Sequence, residues 1–282
     1  MHTESPISVV IAAHNEAKGI GRCLDALLDG AAPGEIDITV VANGCTDDTA
    51  AVAASRPGVR VLVRPEPGKA KALNAGDAVA VGFPRVYLDA DIVLPRGALR
   101  ALAAALTGDA LAAVPRRQVE VRGRPLLIRA YYAINSRLPA YERALFGRGA
   151  IALSAAGRAR FDAFPDVVAD DLYLDSLFAP AEKRQVEAVT ARIATPRRTR
   201  DLVRRLARVR SGNTAIRAAA TGVRRAARSS WLRDVVLPRP WLLPAGACYA
   251  AITLLAAARA RRAPASAGHW GRDESSRDEV AA

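Results

Sequence analysis

The sequence predicts a doubly wound α/β fold, in which helices cover both faces of a mostly parallel sheet. One observation is a set of short, continuous apolar runs, typical of buried parallel strands, at residues 7–13, 36–42, 59–63 and 85–88. The other is that helical stretches separate these runs, at residues 17–28, 46–55 and 70–81. Ligands of such a fold bind beyond the carboxyl ends of the strands.

Later elements are less regular. We expect a helix at 98–106, a bent strand or strand pair at 112–121, and a helical stretch, interrupted near Pro139, at 126–145. A turn into a strand follows at 147–153, and a loop into an acidic helix at 164–178. Residues 184–193 alternate like a strand, with Val186, Ala188 and Ala191 facing inward. Residues 199–228 predict two Arg-rich helices separated at Ser211-Gly212-Asn213.

The length of 282 residues suits one large α/β domain with appendages. With 51% hydrophobic and 24% charged residues, the composition is that of a globular protein. We predict one α/β domain at 1–195, divided into two halves at about 1–110 and about 111–195. An Arg-rich helical extension follows at 196–262, and a disordered tail at 263–282.

The net charge of +13 is concentrated in one segment. Residues 196–230 contain eleven arginines and one acid, Asp201, which gives this segment +10. Diphosphates, nucleic acids and anionic lipid surfaces are all suitable partners. Because no aromatic residue is interleaved with these arginines, nucleic acid is the disfavoured partner.

Residues 241–258 are uncharged, a length at the threshold for a membrane span. Pro244, Gly246 and the flanking arginines favour a helix that packs on the protein or lies on a membrane surface. The polar start at 1–6 lacks the pattern of a secretory signal, so we expect a cytoplasmic protein, peripheral on the inner face of the cell membrane. Three dispersed cysteines predict neither a disulfide framework nor a zinc site.

Polar clusters directly follow three of the predicted strands: His14-Asn15-Glu16, the segment 43–48, and Asp89-Ala90-Asp91. They should line one crevice, because the carboxyl ends of parallel strands meet at one edge. The two acids at 89 and 91 suit Mg²⁺ or Mn²⁺, which keep open positions for diphosphate oxygens. A helix cap or a solvated turn is the structural alternative.

Two further clusters carry charge. Lys69 and Lys71 stand at a helix start, where backbone N–H groups favour phosphate, although the spacing is not that of a Walker A loop. Asp170 and Asp171 are adjacent, and their repulsion favours a raised pKa and a role as base. Solvated lysines and a helix cap are the alternatives.

Taken in order, the segments SVVIAAHNE, VVANGCTDDT, PGKAKALNAG, YLDAD and ADDLYLD resemble the family 2 glycosyltransferases of the GT-A fold. The resemblance covers residues 7–178, and it implies that 1–195 is the glycosyltransferase domain, with a nucleotide-binding half at about 1–110 and an acceptor half at about 111–195. It implies a Rossmann-like, mostly parallel sheet and transfer of a sugar from a nucleoside-diphosphate sugar to a hydroxyl acceptor, with inversion and with Mg²⁺ or Mn²⁺. The acceptor class, whether small molecule, glycan or lipid-linked, stays open.

The resemblance also implies roles for residues. The donor would meet residues at the ends of strands one and two and at the helix after strand three, namely Ala13, His14, Glu16, Asn43, Lys69, Lys71 and Asn74. Asp91 would bind the metal, Asp89 would approach the metal or the ribose, and Asp171 would be the general base, with Asp170 in place of the usual Glu.

Arg208 and Arg210 would contact the leaving diphosphate, or would belong to a basic helix that faces solvent or lipid. The Q-x-x-R-W signature of processive members is absent, which disfavours polysaccharide synthesis. A sugar-phosphate nucleotidyltransferase of related fold is an alternative, but it needs a Gly-rich loop where His14-Asn15-Glu16 stands. A non-catalytic basic protein that binds membranes or nucleic acid is the other.

Overall fold

The computed structural model describes residues 5–142, 144–166, 169–219 and 229–262, with main chain alone for 213–219. The chain forms two compact units: the first comprises Met1–Gln118 and Leu145–Arg192, the second Val119–Ala144 and Ile193–Ala282. The segment 119–144 thus groups with C-terminal residues, whereas the predicted boundaries assign it to the acceptor half. Those boundaries stay predictions, and the tail predicted at 263–282 lies outside the described residues.

The sheet has seven strands: β1 (Ile7–Ala13), β2 (Ile36–Asn43), β3 (Val59–Arg64), β4 (Arg85–Asp89), β5 (Ala112–Glu120), β6 (Ala150–Leu153) and β7 (Lys183–Ala194). Their order is β3-β2-β1-β4-β6-β5-β7. β1 is parallel to β2 and β4, β2 is parallel to β3, and β6 is antiparallel to β4 and β5. The strand order reverses direction at β1 and β4, which is where open α/β sheets bind ligands.

Helices flank this sheet in the first unit: α1 (Ala17–Leu28), α2 (Thr49–Ala54), α3 (Lys69–Val79), α4 (Ala98–Ala104), α6 (Ala155–Arg158) and α7 (Asp170–Leu177). The second unit contains α5 (Leu126–Asn135), α8 (Thr199–Ala219) and α9 (Leu243–Arg262). Short 3₁₀ turns lie at Pro139–Tyr141, Pro180–Glu182 and Pro240–Leu242, and a π-helical turn lies at Trp231–Val236. The predicted helical C-terminal region is therefore present.

α3 packs closely on the sheet because one residue of its inner face has no side chain. A Cβ at Gly76 would lie 2.5 Å from Val10 Cγ1 and 3.1 Å from Val41 Cγ2, and both valines are fully buried. Interiors are too densely packed to absorb such a contact without movement. α3 follows the carboxyl end of β3, so its first residue, Lys69, lies at the ligand-binding edge.

The second unit is built on contacts of α9 with α5 and α8. Ile252 of α9 joins a buried cluster with Ile128 and Leu202, and Tyr249 stacks on Tyr131 with ring centroids 5.0 Å apart. α8 is continuous through Ser211-Gly212-Asn213, so the predicted interruption there is wrong. Gly212 is buried, and close packing at this position outweighs a loss in helix propensity of about 1 kcal/mol. Residues 220–228 lie outside the described residues.

The inward face of β7 also differs from its prediction. Val189, Ala191 and Ile193 are buried, whereas Val186 is partly exposed and Ala188 is exposed. Among the three residues predicted to face inward, only Ala191 does so. Side chains alternate with a period of two along a strand, so 186 and 188 cannot share a face with 191.

Candidate active site

The loops after β1 and β2 are joined by hydrogen bonds at the carboxyl edge of the sheet. Asn43 Nδ2 donates to the Ala13 carbonyl at 2.7 Å, and His14 Nδ1 lies 2.7 Å from the Asn43 carbonyl. Asn15 has a left-handed backbone conformation (φ 52°), and its Oδ1 accepts from the Thr46 N–H at 2.8 Å. The predicted donor residues Ala13, His14 and Asn43 therefore meet at one point of this edge.

Asn43 is fully buried and organises several backbone segments. Its Nδ2 also lies 3.3 Å from the Val41 carbonyl, and its Oδ1 accepts from the Gly68 N–H at 3.0 Å, just before α3. The next residue, Gly44, has a φ of 58°, and a Cβ there would lie 2.7 Å from Pro67 N. These bonds position three loops. Direct contact of Asn43 with the donor, which stays a prediction, would require this amide to become exposed.

Acidic side chains gather around the first turns of α1. Glu16 is buried, and a Cβ at Gly19 would lie 3.8 Å from both Glu16 Oε2 and the Ala90 carbonyl. Burial, together with the negative charges of Asp91, Asp89 and Glu16, raises the pKa of the Cys23 thiol in α1. The structure thus brings the predicted donor-side acid Glu16 close to the predicted metal-side segment Asp89-Ala90-Asp91.

Lys69 joins two of the predicted carboxylate groups. Its Nζ lies 2.7 Å from Asp89 Oδ1 and 3.0 Å from Asp170 Oδ2. Burial acts to lower the pKa of Lys69, but the charges of Asp170 and Asp89 raise it above the ordinary value. Burial raises the pKa of Asp170 to about 6, against the opposing charge of Lys69 and with the support of Asp171. Lys69 is therefore a charged group, and Asp170 keeps its proton to a higher pH than an ordinary carboxyl group does.

Residues 147–149, just before β6, form hydrogen bonds with both β4 and α7. The Asp89 N–H donates to the Gly149 carbonyl at 2.8 Å, and the Gly147 N–H donates to Asp171 Oδ2 at 2.9 Å. The φ values of Gly147 and Gly149 are 70° and 71°, which favour glycine, and a Cβ at Gly149 would lie 2.4 Å from Ile92 Cγ1. Asp89 and Asp171 are thus placed by one backbone segment.

Asp175 is a buried carboxylate beside the site that sequence reasoning missed. Its Oδ1 accepts from the Leu145 N–H at 2.7 Å and lies 2.7 Å from Lys183 Nζ. The signal that could have identified it is its position four residues after Asp171, on the same face of a helix. The pair ties α7 to the segment before β6 and to β7.

Asp77 of α3 forms a second network that sequence reasoning missed. It pairs with Arg85 of β4, lies 2.6 Å from Arg158 Nη2 of α6, and accepts from the Tyr87 hydroxyl at 2.8 Å. Burial, followed by the charge of Asp77, raises the pKa of the Tyr87 phenol. Arg85 and Tyr87 follow Asp77 by eight and ten residues across a loop, and Arg158 is 81 residues away, so no helix or strand periodicity indicates the network.

The remaining predicted donor residues of α3 face different surroundings. Asn74 Oδ1 accepts from the Phe164 N–H at 2.7 Å, and its Nδ2 donates to the Phe164 carbonyl at 2.9 Å. Lys71 is exposed, with its Nζ 3.8 Å from Glu66. Phe161 and Phe164 are buried core residues. Asn74 thus holds the loop that precedes α7, while Lys71 presents its charge to solvent.

Arg208 and Arg210 belong to the second unit, on α8. Arg210 Nη1 donates to the Thr253 carbonyl of α9 at 3.2 Å. Arg208 is partly buried. Their predicted contact with the leaving diphosphate stays a prediction.

The carboxylate oxygens of Asp89 and Asp91 suit a divalent cation whose other coordination positions are filled by the substrate. Asp89 is partly exposed and Asp91 is exposed, and both supply hard carboxylate oxygens. Among the described residues, no group of three or more His, Cys, Asp or Glu side chains could hold a metal alone. Mg²⁺ and Mn²⁺ are bound in this way when diphosphate oxygens and water fill the other positions.

Comparison with known proteins gives one family. The family described as Glycosyl transferase family 2 matches residues 8–160, more than half of the chain. Proteins of Mycobacterium tuberculosis and Mycobacterium bovis, each named an uncharacterized glycosyltransferase, are 36% identical over 112 residues. These alignments cover 40% of this chain and 49% of each relative, so the chain matches about half the length of these curated relatives.

Solved structures share the fold. A mannosyltransferase from Pyrobaculum calidifontis, in complex with GDP-Man and Mn²⁺, has a TM-score of 0.61 at 21% identity, covering 94% of this chain and 78% of that chain. Glucosyl-3-phosphoglycerate synthase from Mycobacterium tuberculosis, in complex with Mn²⁺, UDP and glucosyl-3-phosphoglycerate, has 0.55 at 23%, covering 76% and 79%. TarS from S. aureus, in complex with UDP-GlcNAc, has 0.51 at 17%, covering 72% and 64%. The predicted GT-A fold class is confirmed.

Proposed function

This chain belongs to glycosyl transferase family 2, and we propose that it transfers a sugar from a nucleoside-diphosphate sugar to a hydroxyl acceptor, with inversion at the anomeric carbon. The observation that carries the proposal is Lys69, which lies within 3.0 Å of both Asp89 and Asp170. A carboxylate proposed for the donor side and one proposed for the acceptor side thus share the ammonium group of Lys69. GDP-Man and UDP-GlcNAc in the complexes of similar structures support the donor class.

The donor would lie along the carboxyl edge of the sheet. Its nucleoside would face the loops of Ala13, His14, Glu16 and Asn43, and its diphosphate would face the start of α3. Lys69 is the first residue of that helix, where backbone N–H groups and the helix dipole favour anions. The diphosphate charge would then be opposed by Lys69 and Lys71 at the helix start.

Asp91 and Asp89 would hold the divalent ion, Mg²⁺ or Mn²⁺. Mn²⁺ in the complexes of two similar structures supports this proposal. When bound, the ion would neutralise charge on the diphosphate leaving group. In the ion's absence Lys69 compensates Asp89, so the two carboxylates are not left as an isolated negative pair.

Asp171 would act as the general base. The Gly147 N–H donates to its Oδ2 at 2.9 Å, and the Leu172 N–H donates to its Oδ1 at 2.8 Å, so both oxygens are oriented by the backbone. Asp171 takes the proton of the acceptor hydroxyl, whose oxygen bonds to the anomeric carbon from the face opposite the diphosphate. The bond from that carbon to the diphosphate oxygen breaks, and its electron pair leaves with the nucleoside diphosphate. Asp170 would support this site from the same helix turn.

The alternative of a sugar-phosphate nucleotidyltransferase fits the first loop poorly. Such an enzyme needs free backbone N–H groups after β1 to hold a triphosphate. Here the N–H groups of Asn15, Glu16 and Ala17 donate to the side chains of Cys45, Thr49 and Asp47, at 3.4, 2.7 and 3.1 Å. The loop therefore offers no phosphate cradle, which favours the transferase.

Calorimetric titration with GDP, UDP and TDP sugars, each with and without Mn²⁺, tests the proposal. We expect Mn²⁺-dependent binding of at least one sugar nucleotide, lost in Asp91→Ala and retained in Asp109→Ala, an exposed acid in the loop after α4. Binding of no nucleotide, or equal binding by Asp91→Ala, would contradict it. Inversion is checked by the anomeric proton coupling of the product in NMR spectra.

The acceptor, the cytoplasmic location and contact with an anionic membrane also remain proposals. Among the described residues, one helix, Pro240–Arg262, is long and apolar enough to cross a membrane. By itself this is weak support, because helices in protein cores satisfy the same criteria.

A further inference from the structure

One face of α9 is apolar and exposed. Leu243, Ala247, Ala251, Leu254 and Leu255 recur with helical spacing, and the last two are 68% and 60% exposed. Only 17% of the most apolar 18 residues within Pro240–Arg262 are buried. A core helix would be mostly buried, so α9 is not one. Large exposed apolar patches mark sites of interaction.

The opposite face of α9 is fully used within the second unit. Gly246 packs against the Trp231 ring, where a Cβ would lie 2.7 Å away, and Ile252 lies in the cluster with Ile128 and Leu202. Cys248 Sγ lies 3.5 Å from the Leu127 carbonyl of α5. The exposed stripe is therefore the part of α9 that is left for a partner.

Arginines alongside α9 distinguish a helix that lies on a membrane from one that spans it. Arg210 of α8 donates to the carbonyl of Thr253, close to the midpoint of α9. In a spanning helix this midpoint would lie at the bilayer centre, where a guanidinium group is most costly. Arg204 of α8 is exposed as well. The helix pair therefore suits the polar interface and not the hydrocarbon centre.

Basic and aromatic residues border the exposed stripe. A groove of about 710 Å³ between α5 and α9 is lined by Leu126, Leu127 and Trp241, with Arg129 and Arg137 among its other residues. Trp241 is 73% exposed, and tryptophan is enriched at membrane interfaces. Exposed arginines also stand in the last turn of α9, at 259, 261 and 262. This combination is complementary to anionic headgroups above an apolar layer.

We propose that α9 and this groove dock onto the surface of an anionic bilayer, with α9 lying in the plane of the interface. The leucines of the stripe enter the acyl boundary, Trp241 lies at the headgroup level, and the arginines contact lipid phosphates. A second copy of the chain is the less suitable partner, because a twofold contact would oppose arginine to arginine. The proposal rests on the second unit and does not depend on the proposed sugar transfer.

Flotation of the full chain with lipid vesicles tests the docking. We expect binding to vesicles of phosphatidylcholine with about a quarter phosphatidylserine, and weaker binding to phosphatidylcholine alone. Leu254→Asp with Leu255→Asp should lower the partition coefficient at least about tenfold, because two exposed leucines no longer enter the acyl boundary. The matched control is Val63→Asp on β3, where the valine is 71% exposed, and it should bind like the original chain.

Circular dichroism spectra and thermal unfolding identify any variant that fails to fold. Equal binding by the double variant would mean charge alone holds the protein, and would overturn the proposal. The proposal is also overturned if sedimentation shows a dimer, the double substitution abolishes that dimer, and the protein does not bind vesicles, because the partner is then a second copy of the chain.

The orientation of α9 is tested with a fluorophore placed in turn at 243, 251 and 258, and with quenchers at known depths in the bilayer. An in-plane helix gives three similar, shallow depths. A label at 251 that lies deeper than the labels at both other positions would indicate a spanning helix and contradict the proposal.

Discussion

Replacing Asp170 by asparagine is expected to stabilise the protein at neutral pH. The Asp170 side chain is 14% exposed, and burial raises its pKa from 3.8 to about 6 despite the nearby Lys69. The folded carboxyl group therefore keeps its proton to a higher pH than the unfolded one. Stability linked to this group is complete below about pH 4 and is lost as the pH rises through about 6. Two pK units correspond to about 3 kcal/mol.

Asparagine has a similar shape and no charge to desolvate, and Lys69 keeps its partner Asp89 at 2.7 Å. Urea unfolding followed by circular dichroism, at several pH values, measures the effect. We expect the variant to match the original protein near pH 4 and to exceed it by about 2–3 kcal/mol near pH 8. Asp109→Asn, at an exposed position, should give a difference close to zero at every pH.

A variant that is less stable than the original protein near pH 8 would refute this reasoning. The ion pair with Lys69 would then contribute more than the burial of the carboxylate costs. A difference that is the same at all pH values would also refute it, because the change would act through packing and not through the proton.

Three further variants test the site. Asp171→Asn should keep the sugar-nucleotide affinity of the original protein and lower the transfer rate about 10²- to 10⁴-fold, measured by product formation; unchanged turnover would remove its role as base. Asn74→Leu should lower the free energy of unfolding by about 2 kcal/mol, because two backbone groups of Phe164 lose their hydrogen-bond partner, and donor affinity should stay the same. A fall in donor affinity without loss of stability would instead place Asn74 in the donor site. Gly149→Ala should lower the free energy of unfolding by about 2–4 kcal/mol in denaturant unfolding, because its φ is 71° and the new Cβ would lie 2.4 Å from a buried side chain. Gly108→Ala, at a position with positive φ and nothing within 4 Å of the new Cβ, should lower it less. Equal losses would show that only the backbone conformation matters.

The first half of the fold could be predicted closely from the sequence. β1 and α1 have the predicted bounds, and β2, β3 and β4 differ by one residue, because buried parallel strands are continuous apolar runs bordered by polar loops. α2 begins at Thr49 and not at 46, because Asp47 accepts from the backbone N–H groups of Ala17 and Thr49 and so belongs to the loop. Local patterns do not show such contacts.

The members of the candidate site were easier to predict than their partners. The pattern indicated that acids and lysines gather at one edge of the sheet, because strand ends define that edge. It did not indicate that Lys69 pairs with Asp170, or that Asn43 and Asn74 hold loops, since these contacts join segments distant in sequence. Amide side chains serve a ligand and a backbone equally well, so residue type alone does not separate the two roles.

The segment Gly147–Gly149 explains how groups from β4 and α7 could act on one reaction. Gly149 accepts from the N–H of Asp89, and Gly147 donates to the carboxylate of Asp171, so two residues along one chain fix both acids. Both glycines have positive φ, which lets the segment turn twice within this short distance. A shift of this segment would move the proposed metal carboxylate and the proposed base together. Donor binding and proton transfer should therefore be coupled through this backbone segment and not through a direct contact between the two carboxylates.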